Sequence, residues 1–189
     1  MTIVAVSGSR NPDGQTARAI KAFLNGVEAK GGNTRVHYLP ELALERCRQC
    51  DANGWGQCRD ASGCTIEDDY ESTVESIVSA DGVLFATPVY YADLAESLRS
   101  FLDRLRRVVR EAGGMRGVDG KPAVCLCVAG GGGGGAPWCA VQLEKNTATI
   151  GFDIRDIVPA RRQNLDHKCK VLESTGAWFV GECTLETSV

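Results

Sequence analysis

The sequence has no long apolar run and no marked excess of charge of either sign. Although 43% of its 189 residues are hydrophobic, no stretch approaches the roughly 20 consecutive apolar residues of a membrane-spanning helix. The net charge is −3, from 21 Lys and Arg against 24 Asp and Glu, which argues against general binding of DNA or RNA. We therefore expect a globular protein that binds neither membrane nor nucleic acid.

Histidine is scarce, and no export signal is visible. The two histidines, His37 and His167, form no readable Ser, His and Asp arrangement, so both are expected to be structural residues. The first residues, MTIVAVSGSR, lack a basic flank followed by a long apolar run. A soluble, cytoplasmic protein is the expectation.

Two residue types are in surplus. The sequence holds 22 glycines, six of them consecutive at positions 130–135, and nine cysteines, four of them between Cys47 and Cys64. An odd number of cysteines cannot pair completely, and disulfides are rare in a reducing compartment. Metal binding or redox chemistry is therefore favoured for the cysteine group.

Apolar periodicity predicts a single α/β domain over residues 1–189. Short β-branched runs indicate five strands, and apolar residues spaced by three and four indicate helices between them. This alternation is typical of a parallel sheet with helices on both faces, and a long irregular stretch, residues 40–68, holds the cysteine group. The expected strands are 2–6, 34–39, 81–87, 123–128 and 154–158, and the expected helices are about 15–30, 68–79, 94–111, 138–150 and a terminal helix from 165.

Three unusual loops follow strands one, three and four, at residues 7–16, 88–93 and 130–137. Ligands bind at the carboxyl ends of the strands in such sheets. The first loop leads into a helix N-terminus, whose free N–H groups suit a phosphate, although a capped Gly/Ser turn is the alternative. It is neither a Walker sequence nor a GxGxxG fingerprint.

The other two loops offer a flat surface and an open backbone. Pro88 and the two tyrosines that follow Val89 could hold a flat heterocycle, or could simply close the core. The six glycines would let the backbone approach a ligand closely, and a flexible linker is the alternative.

Short phrases at these loops form a recognisable combination. The first loop carries Ser7-Gly8-Ser9-Arg10 and then Gln15-Thr16-Ala17, strand three ends in Thr87-Pro88-Val89-Tyr90-Tyr91, and the next helix contains SLRSFLDR. Over about residues 2 to 158 the chain resembles the flavodoxin-like NAD(P)H-dependent FMN reductases, and within them the iron–sulfur flavoproteins.

The resemblance implies a doubly wound five-stranded parallel sheet of order 2-1-3-4-5, with the cysteine-rich loop after strand two, and non-covalent FMN. The phosphate would lie on the first loop and the isoalloxazine ring against the other two, across the interface of a homodimer or homotetramer. The candidate FMN-binding residues are Ser7, Ser9, Arg10, Asn11, Gln15, Thr16, Ala17, Pro88, Val89, Tyr90, Tyr91, Gly130, Gly131, Gly132 and Gly133.

Four cysteines follow the spacing Cys47-x2-Cys50-x7-Cys58-x5-Cys64. Four thiolates can hold a [4Fe–4S] cluster or a tetrahedral zinc ion, and free or oxidised thiols are the third possibility. The resemblance favours the cluster, because iron–sulfur flavoproteins carry a compact four-cysteine motif at this place. The seven residues between Cys50 and Cys58 form a longer gap than is usual in that family.

The remaining cysteines are expected to be mostly core residues, and the arginine groups mostly surface residues. Cys139 would start the helix after the glycine loop, where a thiol pKa is lowered, so it is the one to watch. Two arginine groups are expected to be solvated, with binding of a nicotinamide phosphate or an acidic redox partner as the alternative. The cysteines expected to fill the core are Cys125, Cys127, Cys139, Cys169 and Cys183, and the arginines are Arg104, Arg106, Arg107, Arg110, Arg161 and Arg162.

The expected function is that of an FMN-dependent NAD(P)H oxidoreductase. FMN would accept a hydride from NAD(P)H, or electrons from a ferredoxin, and the cluster would pass single electrons to a small-molecule or protein acceptor. No catalytic acid or base is assigned, and Tyr90 and Tyr91 are candidates for stacking on the flavin. The alternatives are an NAD(P)H:quinone, nitro or azo reductase without a cluster, and a thiol-based redox sensor.

Overall fold

The computed structural model describes residues 1–50, 58, 63–111, 114–115 and 117–185, and within them strands alternate with helices. The strands are β1 (Thr2–Ser7), β2 (Asn33–Tyr38), β3 (Gly82–Tyr90), β4 (Asp93–Leu94), β5 (Arg110–Glu111), β6 (Gly114–Met115), β7 (Pro122–Ala129) and β8 (Asp153–Arg161). The helices are α1 (Gln15–Ala29), α2 (Tyr70–Ser79), α3 (Glu96–Val108), α4 (Ala136–Ile150) and α5 (Leu165–Leu185), with 3-10 turns at Leu39–Glu41 and Arg162–Asn164.

The central sheet has the predicted topology. Its five long strands are parallel and lie in the order β2-β1-β3-β7-β8, which is the order 2-1-3-4-5 of the five expected strands. A short strand that was not predicted, β4, turns back antiparallel onto the end of β3, and β5 pairs with β6 in a separate hairpin. The loops after β1, β3 and β7 therefore meet at one edge of the sheet.

Helices cover both faces of this sheet, because successive strand residues point to opposite sides. Along β1, Ile3 and Ala5 belong to the core beneath α1 and α5. Val4 and Val6 belong to the core beneath α2, α3 and α4. Within the described residues, no helix combines the length and the apolar character needed to cross a bilayer.

Three predicted boundaries are wrong for physical reasons. β3 continues past residue 87 to Tyr90, because β4 pairs with its end. β8 continues through Pro159 to Arg161, because it is an edge strand, where a missing N–H can face outward. α3 ends at Val108 instead of continuing to about residue 111, since the chain there enters the β5–β6 hairpin.

Helices α1 and α5 touch at their backbones. A Cβ atom on Gly26 would lie 1.9 Å from the carbonyl oxygen of Glu173, and one on Gly176 would lie 2.0 Å from that of Phe23. The rings of Phe23 and Phe179 pack beside this crossing with centroids 5.8 Å apart. Only glycine fits at either position while the helices remain this close.

The cysteines outside the loop largely fill the core, as predicted. Cys125, Cys127 and Cys139 are fully buried, Cys183 is 6% exposed, and Cys169 is half-buried. The exception expected for Cys139 is not supported, because α4 already begins at Ala136 and Cys139 lies in the interior. Its contact with Cys127, together with burial, raises the pKa of the Cys127 thiol.

His37 makes part of the stability depend on pH. Its Nε2 lies 2.9 Å from Ser76 Oγ on α2, and burial, with a smaller effect of Arg35, lowers its pKa. The unfolded chain therefore binds more protons in acid, and the free energy of unfolding falls as pH drops below about 6.5. His37→Gln keeps a polar partner for Ser76 and does not titrate. Between pH 7.5 and 5 in urea unfolding, the wild type should lose more stability than this variant.

The matched control is the exposed His167, whose change to glutamine should leave the wild-type pH response intact. Parallel pH responses of the wild type and His37→Gln would contradict the assignment.

Candidate functional site

The loops after β1, β3 and β7 line one open cavity of about 760 Å³. Its size is within the range of ordinary ligand and cofactor sites. The residues that line it are Ser9, Asn11, Asp13, Gly14, Gln15, Thr16, Arg18, Pro88, Val89, Tyr90, Val128, Ala129, Gly130, Gly131, Gly132, Gly133 and Gly134.

The first wall of this cavity is the start of α1. Asn11 accepts hydrogen bonds from the amides of Asp13 (3.0 Å) and Gly14 (3.2 Å), which shapes the turn into the helix. The first turn of α1 contains no acidic residue, so nothing there competes for its free N–H groups. Gln15 Oε1 is buried and has no hydrogen-bond partner in the described part of the chain. This wall therefore suits a ligand that carries both an anion and a hydrogen-bond donor.

The second wall is the hairpin formed by β3 and β4. Tyr91 and Ala92 form its tip with φ angles of 51° and 63°, a left-handed conformation that costs a non-glycine residue about 1–3 kcal/mol. The tip packs against Gly135, where a Cβ atom would lie 2.7 Å from Ala92 Cα. Strain of this kind is common at ligand sites. Here the strained turn directly follows Tyr90, which lines the cavity.

The third wall is the glycine loop between β7 and α4. The Gly133 amide donates to the Gly130 carbonyl (2.8 Å), and the Gln163 side chain donates to the Gly131 carbonyl (3.3 Å). A Cβ atom on Gly132 or Gly134 would meet no atom within 4 Å. The loop is thus tied at its base and offers bare backbone to the cavity, which fits the close approach expected of a flat ligand.

Eleven of the fifteen predicted FMN-binding residues line this cavity, and four do not. Ser7 is buried at the end of β1, where its hydroxyl accepts from the Ser9 amide at 3.2 Å. Ala17 is buried on α1, Arg10 lines the neighbouring cavity, and Tyr91 is fully exposed at the hairpin tip. The eleven are Ser9, Asn11, Gln15, Thr16, Pro88, Val89, Tyr90, Gly130, Gly131, Gly132 and Gly133.

Six lining residues are not among the fifteen candidates. Arg18 was recognisable, because it lies three residues after Gln15 on the same face of α1. Its guanidinium pairs with Asp166 on α5 at 2.6 Å. The other five lie within two residues of a candidate along the chain, and Gly134 belongs to the loop that was expected to contact the flavin ring: Asp13, Gly14, Val128, Ala129 and Gly134.

A second cavity, of about 610 Å³, lies beside the first. Tyr90 lines both cavities, and Arg10 lines the second. Arg104 also lines the second cavity, and it lies next to the cysteine loop. Tyr70 also lines this cavity; its hydroxyl has no hydrogen-bond partner among the described residues, and burial raises its pKa well above the ordinary value.

The four loop cysteines line one small cleft together with Arg104. Residues 51–57, which form the long gap, lie outside the described residues. In the described part of the chain no three His, Cys, Asp or Glu side chains are placed to hold a metal ion, so ligation by these cysteines stays a prediction. The donor set itself fits a cluster or zinc, because four cysteines line one cleft and four thiolates are the usual ligands of both.

The surroundings of Cys58 disfavour its thiolate. Burial raises the pKa of Cys58, and the neighbouring thiols of Cys64 and Cys47 raise it further. A bound metal ion would invert this preference for the protonated thiol. Cys50 is exposed, and its sulfur lies 3.6 Å from Thr65 Oγ1.

Arg104 contradicts the expectation of a solvated arginine group, since its side chain is 2% exposed. It forms a bidentate ion pair with Asp68, with N–O distances of 2.6 and 3.0 Å. Its guanidinium also donates to the Glu45 carbonyl at 2.9 Å and to Cys64 Sγ at 3.3 Å. The guanidinium carbon lies 3.9 Å from the centre of the Tyr70 ring. Despite burial, which acts the other way, the hydrogen bonds from Arg104 and the Glu45 amide keep the pKa of Asp68 low.

Most of the other arginines in the two groups are exposed, as expected. Arg106, Arg161 and Arg162 are exposed, and Arg107 is half-buried beside the cysteine cleft. The side chain of Arg110 lies outside the described residues.

Comparison with known proteins agrees with this geometry. The model of the NADPH-dependent FMN reductase family matches residues 1–160. An iron-sulfur flavoprotein of Methanocaldococcus jannaschii is 28% identical over 106 residues, which are 56% of this chain and 52% of that protein. A second from the same organism is 29% identical over 160 residues, 84% of this chain and 74% of that protein. The first alignment thus spans about half the length of its relative.

Among solved structures, RosB with a bound intermediate, 8-demethyl-8-formylriboflavin-5'-phosphate, is similar with a TM-score of 0.72. The match covers 96% of this chain and 81% of that chain at 16% sequence identity. At this identity the likeness shows the fold alone.

Proposed function

The chain belongs to the NADPH-dependent FMN reductase family, and from this membership we propose that it is an FMN-dependent NAD(P)H oxidoreductase of the iron–sulfur flavoprotein type. FMN would lie in the cavity of about 760 Å³, and a [4Fe–4S] cluster in the cysteine cleft. The observation that carries the proposal is the convergence of three predicted loops on one cavity. Gln15, one of its lining residues, also has a buried side-chain oxygen without a partner among the described residues.

The polar groups at the start of α1 fit the sugar-phosphate part of FMN. Ser9, Thr16 and Arg18 line the cavity beside the free N–H groups of the helix. Gln15 Oε1 can only accept a hydrogen bond, and FMN carries the O–H and N–H donors that it needs. These residues would bind and orient the cofactor.

The remaining walls fit a flat ring system. The glycine loop presents no side chains, and Tyr90, which is 58% exposed, borders the cavity opposite the start of α1. When bound, FMN supplies the exchange of one or two electrons, while the protein sets its position and surroundings. No described side chain is needed as an acid or base, so none is assigned as catalytic.

A cluster in the cysteine cleft is supported by the donor set and by the second cavity. Tyr90 lines that cavity and the proposed flavin cavity, and Arg104 lines that cavity and the cysteine cleft, so one space adjoins both proposed redox sites. The electron donor would be NAD(P)H or a ferredoxin, and the acceptor a small molecule or a protein.

A homodimer or homotetramer is supported by exposed apolar side chains near the flavin cavity. Tyr91 is fully exposed, Trp138 is 69% exposed and Val141 is 50% exposed. Large side chains of this kind usually mark an interaction surface when they lie together. The β4–α4 contact brings the hairpin and this helix together.

Anaerobic purification tests the function. The absorbance spectrum should show flavin bands and a broad band near about 400 nm, with iron and acid-labile sulfide in the protein. Flavin bands with one zinc ion would instead support an NAD(P)H:quinone, nitro or azo reductase. Protein that takes up neither FMN nor iron would overturn both, and would favour a thiol-based sensor.

Removing one cluster ligand should separate the two cofactors. Cys50→Ala is expected to lose most of the iron and keep FMN, because Cys50 is exposed on the cysteine loop and lines only the cleft among the described cavities. Iron content and the FMN dissociation constant measure the two effects. Cys169→Ala, at a half-buried cysteine of α5, is the control and should keep both. Loss of FMN together with iron would contradict two independent sites.

A further inference from the structure

Arg104 connects the cysteine loop to α3 at both ends of the loop. Its guanidinium binds the Glu45 carbonyl, two residues before Cys47, and the Asp68 carboxylate, four residues after Cys64. A buried guanidinium is costly unless its N–H groups are paired. Nη1 and Nη2 of Arg104 each donate two hydrogen bonds, and Nε has no partner among the described residues. The pairing here therefore ties two distant parts of the chain to one point on α3.

Asp68 extends this connection into the backbone of the loop. Its Oδ2 accepts from the Glu45 amide at 2.8 Å, and its Oδ1 accepts from the Tyr70 amide at 3.2 Å. Both carboxylate oxygens are thus shared between the guanidinium of Arg104 and a backbone amide. Loss of the guanidinium would free the carboxylate and weaken its hold on both amides.

The same guanidinium touches a sulfur of the cysteine cleft. Arg104 Nη2 donates to Cys64 Sγ at 3.3 Å. Hydrogen bonds to cysteine sulfurs stabilise the more negative, reduced state of an iron–sulfur cluster and raise its reduction potential. The charge of Arg104 is balanced by Asp68, so the sulfur receives its hydrogen bond from an ion pair of no net charge.

We propose that Arg104 is a positioning residue for the cysteine cleft, which closes the base of the loop through Glu45 and Asp68 and raises the reduction potential of the cluster through its N–H···S bond to Cys64. The effect on the potential rests on the proposed function, because it needs a cluster. The closure of the loop does not depend on a cluster.

Hydrogen exchange on the protein as purified tests the closure. In Arg104→Gln the amides of Glu45 and Tyr70 should exchange about tenfold faster or more, since a charge-assisted pair is lost. Arg106→Gln removes the same charge from an exposed position on the same helix, where Arg106 pairs only with Asp103 in the described structure, and should exchange at the wild-type rate. Unchanged exchange in Arg104→Gln would overturn the closure.

The midpoint potential of the cluster, followed by electron paramagnetic resonance, tests the second part. Arg104→Gln should shift it to more negative values, and Arg104→Lys, which keeps the charge without the forked donors, should shift it less. Asp68→Asn leaves the Arg104 charge unbalanced beside Cys64, so its potential should move in the opposite direction. A residue that only supported the fold would lower the iron content of these variants and give no opposite shifts.

The outcomes separate the two proposals. Wild-type protein without iron and sulfide would refute the cluster and its tuning, and the exchange rates would still decide the loop closure. Full iron with equal potentials in the wild type and Arg104→Gln would overturn the N–H···S effect. If Arg104→Gln does not fold, the signs found for Arg104→Lys and Asp68→Asn decide, and equal signs overturn the proposal.

Discussion

Replacing Gly176 with alanine is expected to lower the free energy of unfolding by about 3 kcal/mol or more, since overpacking at a rigid contact costs this much. The new Cβ atom would lie 2.0 Å from the Phe23 carbonyl oxygen and 3.2 Å from the Val27 nitrogen. Both are backbone atoms, so α1 and α5 would have to separate. Intrinsic helix propensity alone predicts the opposite sign, a gain of about 1 kcal/mol.

Gly181 provides the matched control on the same helix. A Cβ atom there would meet nothing within 4 Å, so Gly181→Ala should be neutral or should stabilise the protein by up to about 1 kcal/mol. Urea unfolding followed by circular dichroism measures both variants. A Gly176→Ala protein as stable as the wild type would show that the two helices do not touch as described.

Changing Gln15 to glutamate should weaken FMN binding about 100-fold, because two unit charges a few ångströms apart at a protein surface repel by about 3 kcal/mol. Gln15 is the first residue of α1 and lines the cavity beside the helix N-terminus. A carboxylate there would take the place that we assign to the phosphate. It would also suit the helix dipole, so the protein without FMN should be at least as stable as the wild type.

A charge placed elsewhere on α1 controls for the general effect of an added carboxylate. Asn25 is exposed on the same helix and does not line this cavity, so Asn25→Asp should bind FMN as the wild type does. Quenching of flavin fluorescence during titration gives the dissociation constants. Wild-type affinity in Gln15→Glu would place the phosphate away from the start of α1.

The sheet was predictable because the alternation of strands and helices indicates a parallel sheet, and the resemblance implies its strand order. The β3–β4 hairpin was not, since its tip residues, Tyr91 and Ala92, carry none of the Asn-Gly or Gly-Gly signals of such turns. The fifth predicted strand stopped at residue 158, before Pro159. β8 can include this proline because it lies at the edge of the sheet, and that position depends on long-range pairing. Local sequence patterns predict which segments are helices or strands. Where a strand ends depends on its pairing with distant strands.

The three cavity loops were predictable because their place follows from the strand ends. The burial of Arg104 was readable in part, since Arg104 lies three residues after Phe101 and four before Val108, both buried on α3. Its partner was not readable, because Asp68 lies 36 residues away on an irregular segment. An arginine can be buried when a carboxylate pairs with it, and local sequence patterns do not identify a partner so far away along the chain.

Helix α5 lies wholly beyond residue 160, where the match to the family ends. It nevertheless supplies Leu172 and Phe179 to the core beneath one face of the sheet. The folding unit of this protein therefore extends beyond the residues that match the family. Because the backbone contacts of Gly26 and Gly176 are reciprocal, a larger residue on either helix would displace the other helix as well.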